Sequence, residues 1–135
     1  MNREILFRAK HIHTIPGNEH LNGTWVHGYL SDENYIYDKS LEGEFLIDED
    51  TICQYTELTN ELGEEFWEND IVQCGHYYGV IKYEDGAFII KWNAKGSGSL
   101  RHDLAYWAYL GKARVVGNVF DNPELLEEEN VHGTD

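Results

Sequence analysis

A two-residue reversal, Asp85-Gly86, separates two strand-like runs, Gly79-Val80-Ile81-Lys82-Tyr83-Glu84 and Ala87-Phe88-Ile89-Ile90-Lys91-Trp92. Both turn residues tolerate positive φ, as a type I′ turn requires, and that turn follows the natural twist of the strands it joins. A loop this short leaves one register: Tyr83 opposite Phe88, Ile81 opposite Ile90 and Gly79 opposite Trp92. Alternation along the strands then puts Ile81, Tyr83, Phe88, Ile90 and Trp92 on one face and Lys82, Glu84 and Lys91 on the other. Gly79 leaves room for the Trp92 indole, so the hairpin carries a core layer of its own.

Short alternating segments broken by Gly, Asn, Asp and Ser surround this hairpin, and long helical periodicity is scarce. Asp70 to Cys74 reads as a strand, joined to the hairpin through Gly75-His76-Tyr77-Tyr78. Asn93 to Ser99, with Gly96 and Gly98, reads as a loop. Leu100 to Leu110 carries two signals. Leu100, Leu104, Trp107 and Ala108 have helical spacing with Gly111 placed to cap, while the aromatic content also suits a strand; the helical turn is the preferred reading. Ala113 to Phe120 is strand-like, and Asn122-Pro123 starts a short helix with Glu124 and Glu127 near its positive end. In the first half, Glu4 to Lys10, Thr24 to Leu30, Asn34 to Tyr37 and Phe45 to Ile47 read as strands and Thr51 to Leu58 as extended, with turns at Gly17-Asn18, Asn22-Gly23 and Glu61-Leu62-Gly63. The expected organisation is a β module over 1–60, a second β module over 61–126 and an acidic tail over 127–135.

Charge narrows the function classes. Ten Lys and Arg against 25 Asp and Glu leave a net charge of −15. Binding to nucleic acid or to an anionic membrane draws on cationic side chains, so direct contact with either is not expected. No lysine or arginine lies between Lys39 and Lys82. Glu42, Glu44, Asp48, Glu49, Asp50, Glu57, Glu61, Glu64, Glu65, Glu68 and Asp70 crowd that stretch. No apolar run is long enough to cross a bilayer, and Met1-Asn2-Arg3-Glu4 leads into strand-like sequence without a signal core, so a cytoplasmic protein is expected. Cys53 and Cys74 stand 21 positions apart in no metal or redox spacing and read as two buried free thiols.

The residues that could carry chemistry do not combine into a site. His11 and His13 share a face of the expected first strand, but two imidazoles do not make a metal centre without further ligands, which His20 or His27 would have to supply. Ser40, Ser97 and Ser99 sit in no nucleophile elbow, and the adjacency of His102 and Asp103 says little because triads assemble in space. Gly96-Ser97-Gly98 lacks the phosphate-loop spacing. The carboxylates lack the alternating Asp/Asn pattern of a calcium loop. No catalytic residue, metal ligand or cofactor is expected.

Aromatic residues remain: Tyr35, Tyr37, Tyr77, Tyr78, Tyr106, Trp107 and Tyr109 exceed what a small sheet hides fully. Either the two modules bury them, or they form an interaction surface, since interfaces favour Tyr and Trp. Tyr77, Tyr78, Tyr106, Trp107 and Tyr109 are the candidates for that surface.

Three segments resemble the YopX-like family of phage and prophage proteins: Arg3-Glu4-Ile5-Leu6-Phe7-Arg8-Ala9; Gln54-Tyr55-Thr56, Leu58 and Gly63 running into Trp67-Glu68-Asn69-Asp70-Ile71-Val72; and Val115-Val116-Gly117-Asn118-Val119-Phe120-Asp121-Asn122-Pro123-Glu124-Leu125-Leu126. The chain departs from the usual pattern at Asn69 and Glu57, where family members tend to carry Gly, and at Lys10-His11, where Trp-Asp is common. The resemblance implies an all-β protein whose C-terminal half is an SH3-like β-barrel, a bacterial host cytoplasm, and no assigned catalytic residues. The function expected is a non-catalytic module that forms a homo-oligomer or binds a protein partner. The alternative is an acidic mimic of nucleic acid that sequesters a DNA-binding protein.

Overall fold

The computed structural model describes residues 5–12, 23–92 and 100–126. The Gly17-Asn18 turn, His13, His20, the Asn93–Ser99 loop and the 127–135 tail lie outside them. The chain divides into two units between Tyr55 and Thr56.

The first unit contains β1 (Phe7–Lys10), β2 (Trp25–Asp32), β3 (Tyr35–Asp38) and β4 (Gly43–Leu46), then a 3-10 turn (Glu49–Thr51) and the beginning of β5 (Cys53–Thr59). Neighbouring strands are antiparallel. Ala9 lies across from Val26 and Ile36 from Phe45. Period-two alternation sends Ala9, Val26 and Ile36 to one face, where they form a core with Ile47, against which Phe7, Phe45 and Ile52 pack. Beyond β1, His11 bridges to Ile47, so the end of β1 returns to the end of β4. Ile5, expected inside the first strand, precedes it and is exposed.

The second unit takes the remainder of β5, β6 (Glu65–Trp67), β7 (Asp70–Cys74), β8 (Tyr77–Glu84), β9 (Ala87–Trp92), β10 (Leu100–Asp103), α1 (Leu104–Leu110) and β11 (Arg114–Asn118). The hairpin register is the one the turn demands: Tyr83 faces Phe88, Ile81 faces Ile90 and Gly79 faces Trp92. Asp85 at φ 53° and Gly86 at φ 83° both adopt the left-handed backbone of that turn. Ile81, Ile90 and Trp92 are buried with Phe66, Val72, Leu104, Ala108 and Ala113, and Phe88 packs against them. Tyr83, at the end of the hairpin, stands beyond this core and is exposed.

Strand order in this unit is β10-β9-β8-β7-β11, every pair antiparallel. The fold is all-β in the coarse sense. Among the described residues no pairing joins β10 to β11, so the expected barrel is not closed through its strands. Residues 104–110 are spent on the helix, whose Leu104 and Ala108 enter the core. The connection expected over Gly75 to Tyr78 is shorter than read. Gly75 at φ 62° and His76 complete the turn, and Tyr77 and Tyr78 already belong to β8, where aromatics are favoured. Of the last expected helix the described residues hold one turn, in which Leu125 and Leu126 donate to the carbonyls of Asn122 and Pro123.

Candidate interaction surface

Residues 100–110 divide into a strand and a helix: the aromatics that suited a strand, Tyr106, Trp107 and Tyr109, lie in the helix, and the strand is the preceding Leu100–Asp103. Leu100 to Asp103 pairs with β9, and Asp103 then turns the chain into α1 as its N-cap, its carboxylate accepting from the Tyr106 N–H at 3.3 Å. Leu104 and Ala108, one turn apart, are buried. Gly111 at φ 69° ends the helix, its N–H reaching the carbonyls of Ala108 and Trp107. Trp107 packs edge-on against Trp92 with ring centroids 5.2 Å apart, and His102 lies 5.5 Å from Trp107. Trp92 Nε1 is buried and makes no hydrogen bond among the described residues, so this side chain is held by packing.

With three of its side chains anchored, the helix leaves two tyrosines outward. Tyr106 is 58% exposed and Tyr109 86% exposed, and their separation of three positions puts them on one side of α1. The other candidates are placed differently. Trp107 is half-buried and serves as anchor. Tyr77, across from Cys74, is exposed, whereas Tyr78, across from Gln73, is half-buried; as consecutive strand residues they point to opposite faces of β8.

A second aromatic group, absent from the expected surface, lies in the first unit. Tyr29 stacks on Tyr37 with centroids 5.4 Å apart, and both share their sheet face with Trp25 and Tyr35. The Arg8 guanidinium sits 4.7 Å from the centre of the Trp25 ring and Lys10 Nζ 5.6 Å from it, cation–π distances that hold the indole against β1. The spacing of Trp25, His27 and Tyr29, and of Tyr35 and Tyr37, carried this signal in the sequence.

Much of the polar inventory is committed to the fold. His11 Nδ1 contacts the Leu46 carbonyl at 2.7 Å and its ring meets Phe45 edge-on, so this imidazole is occupied structurally. The Ser40 hydroxyl donates to Asp38 at 2.6 Å. Burial works against the ionised form of Asp38, but donors from the His27, Ser40 and Leu41 backbones and the Ser40 hydroxyl outweigh it and hold its carboxyl below the usual range. Asp70 is buried and accepts from the Trp67 N–H at 2.9 Å. Glu64 receives Arg114 Nε at 3.0 Å, Asn60 Nδ2 and the Val115 N–H. The Arg114 hydrogen bond is the main reason its carboxyl lies below the ordinary range. Glu84 binds Lys91 at 3.1 Å and also Arg101. Glu42, Glu44, Glu49, Asp50, Glu57, Glu61 and Glu65 face solvent.

The motif residues are structural as well. Thr56 Oγ1 donates to the Phe66 carbonyl, Asn69 takes φ 71° before Asp70, and Asn118 Oδ1 accepts from the Phe120 and Asp121 N–H groups. Among the described residues no three metal-capable side chains converge, and no helix is long and apolar enough to cross a membrane. The segments that gave the family likeness thus supply strands and the turns that join them. No curated protein matches the chain. The family described as "YopX protein" matches residues 11–127, and the chain belongs to the YopX family.

Proposed function

We propose that this chain is a non-catalytic, phage-type protein-interaction module that docks a protein or a second copy of itself through Tyr106 and Tyr109. The observation that carries this reading is the exposure of both rings on a helix pinned by Leu104, Trp107 and Ala108. A tyrosine has few rotatable bonds and an amphipathic ring, so one held on an anchored backbone loses little entropy on binding and buries a large area. The order β10-β9-β8-β7-β11, a four-strand meander with its last strand returned beside the first, supports an SH3-like reading of the second unit. Net charge −15 favours a protein that avoids direct contact with nucleic acid and anionic membranes.

The test compares the wild type with Tyr106→Ser/Tyr109→Ser by affinity capture from a bacterial host extract and by solution mass. Loss of assembly or partner with unchanged thermal unfolding supports the reading, and full retention counts against it. The solvent-facing carboxylates favour a second reading, an acidic mimic. That reading requires a basic nucleic-acid-binding partner whose capture fails when Glu42, Glu49 and Asp50 become amides and survives the tyrosine changes.

A further inference from the structure

The two outer strands of the five-stranded sheet are finished in different ways. An outer strand presents N–H and C=O groups that can template a further strand. On β11, and at Ala113 just before it, side chains take some of these groups. Asn60 Nδ2 donates to the Ala113 carbonyl at 3.3 Å, the Val115 N–H donates to Glu64 Oε1 at 3.3 Å, and Arg114 fixes that carboxylate. The step between Val115 and Gly117 bulges the same strand.

On β10 the pattern follows from the hairpin. A two-residue turn closes on Glu84 and Ala87, so ladder bonds also join Lys82 to Ile89 and Val80 to Lys91. The backbone groups of Ile90 and Trp92 then face β10, where their partners are His102 and Leu100. The backbone of Arg101 and the N–H of Asp103 are left pointing away from the sheet. Among the described residues no hydrogen bond covers that edge.

The exposed edge is self-complementary. Arg101 and Asp103 pair with Lys91 and Ile89, so both project from the face opposite the core. A two-fold axis beside His102 would set Arg101 of each copy across from Asp103 of the other. Two opposite-charge pairs would form, and each Asp103 N–H would aim at an Arg101 carbonyl. Tyr106, whose N–H is held by Asp103, would flank the seam. We propose that β10 is a dimerisation edge, joining two copies of this chain as antiparallel strands centred on His102. This rests on the interaction-module reading and names its partner.

The register supplies the test. In the dimer the two His102 residues form a non-hydrogen-bonded pair with Cα atoms about 4.5 Å apart, within the span a disulfide bridges. In a Cys74→Ser background, His102→Cys is expected to give a covalent dimer on mild oxidation, while Arg101→Cys is not. Sedimentation should find a dimer for the wild type and for Arg101→Lys, and about tenfold weaker association for Arg101→Glu, which sets like charges opposite each other. A wild type that stays monomeric at every concentration, with no cross-link at position 102, overturns the edge pairing and leaves docking of a different protein through Tyr106 and Tyr109 intact. A dimer abolished by Tyr106→Ser/Tyr109→Ser but indifferent to Arg101→Glu also overturns it.

Discussion

Gly79 lies directly across β8 and β9 from Trp92, and a Cβ at Gly79 would come 2.9 Å from the indole Cε3 and 2.5 Å from Ile90 Cγ2. Both neighbours are buried, so neither can swing aside. Gly79→Ala is therefore expected to destabilise the second unit by about 2 kcal/mol, the usual cost of overpacking a dense core. Urea unfolding followed by tryptophan fluorescence measures it. A loss below about 0.5 kcal/mol, the range of surface substitutions, would mean that the indole has freedom the packing denies it.

The same pair shows what was legible beforehand. Asp85-Gly86 admits one register, and the cross-strand partners of the whole hairpin followed from it. Leu100 to Leu110 is harder, because its helical spacing starts at Leu100 and its aromatics suit a strand, while the strand ends and the helix begins where neither signal marks a boundary. The Asp103 cap and the burial of Leu104 and Ala108 divide them, and burial is a tertiary outcome. Residue type alone groups Trp107 with Tyr106 and Tyr109, but helical spacing separates it from both and turns it toward Trp92. The Tyr29–Tyr37 stack is hidden in the sequence for a related reason. Alternation says that Trp25, His27 and Tyr29 share a face, yet only the assembled sheet says which face becomes core.

Two residues other than Gly hold left-handed backbone where the family tends to carry Gly: Glu57 at φ 65° and Asn69 at φ 71°. Asn tolerates this conformation and Asn69 also accepts from Lys82 Nζ at 2.8 Å. Glu57 has no such tolerance. Glu57→Gly should therefore be more stable than Glu57→Ala by about 1 kcal/mol. Both variants remove the carboxylate, so the difference between them isolates the backbone. Equal denaturation midpoints would show that the position relaxes out of the left-handed region at no cost.

Acid should loosen the first unit through Asp38. Its carboxyl titrates below the ordinary range in the folded chain, so the folded state binds fewer protons than the unfolded state as pH falls. Its contribution is complete above about pH 4, the unfolded value, and is lost as pH drops through the lower folded value. Asp38→Asn keeps one acceptor oxygen and removes the charge. The variant should be less stable at neutral pH, where buried hydrogen bonds to a charged acceptor contribute about 1.5 to 3 kcal/mol. Its unfolding midpoint should also change less than that of the wild type between pH 5 and pH 3. Parallel stability profiles for the two proteins would remove Asp38 from the acid response.

The three aromatic residues of α1 should separate recognition from folding. Trp107 packs on Trp92 and on the buried cluster, so Trp107→Ala removes a large half-buried ring and is expected to cost about 3 kcal/mol, the low end for a Trp truncation. Tyr106 and Tyr109 face water, and replacing each by Ser should change stability by less than about 0.5 kcal/mol. Thermal unfolding of the three single variants checks the contrast. If Tyr109→Ser is as damaging as Trp107→Ala, that tyrosine supports the fold, and the outward helix face loses its claim to be a surface kept for a partner. If Tyr109→Ser is silent in stability, the exposed ring contributes nothing to the folded monomer. That silence is what the proposed docking role of this ring requires.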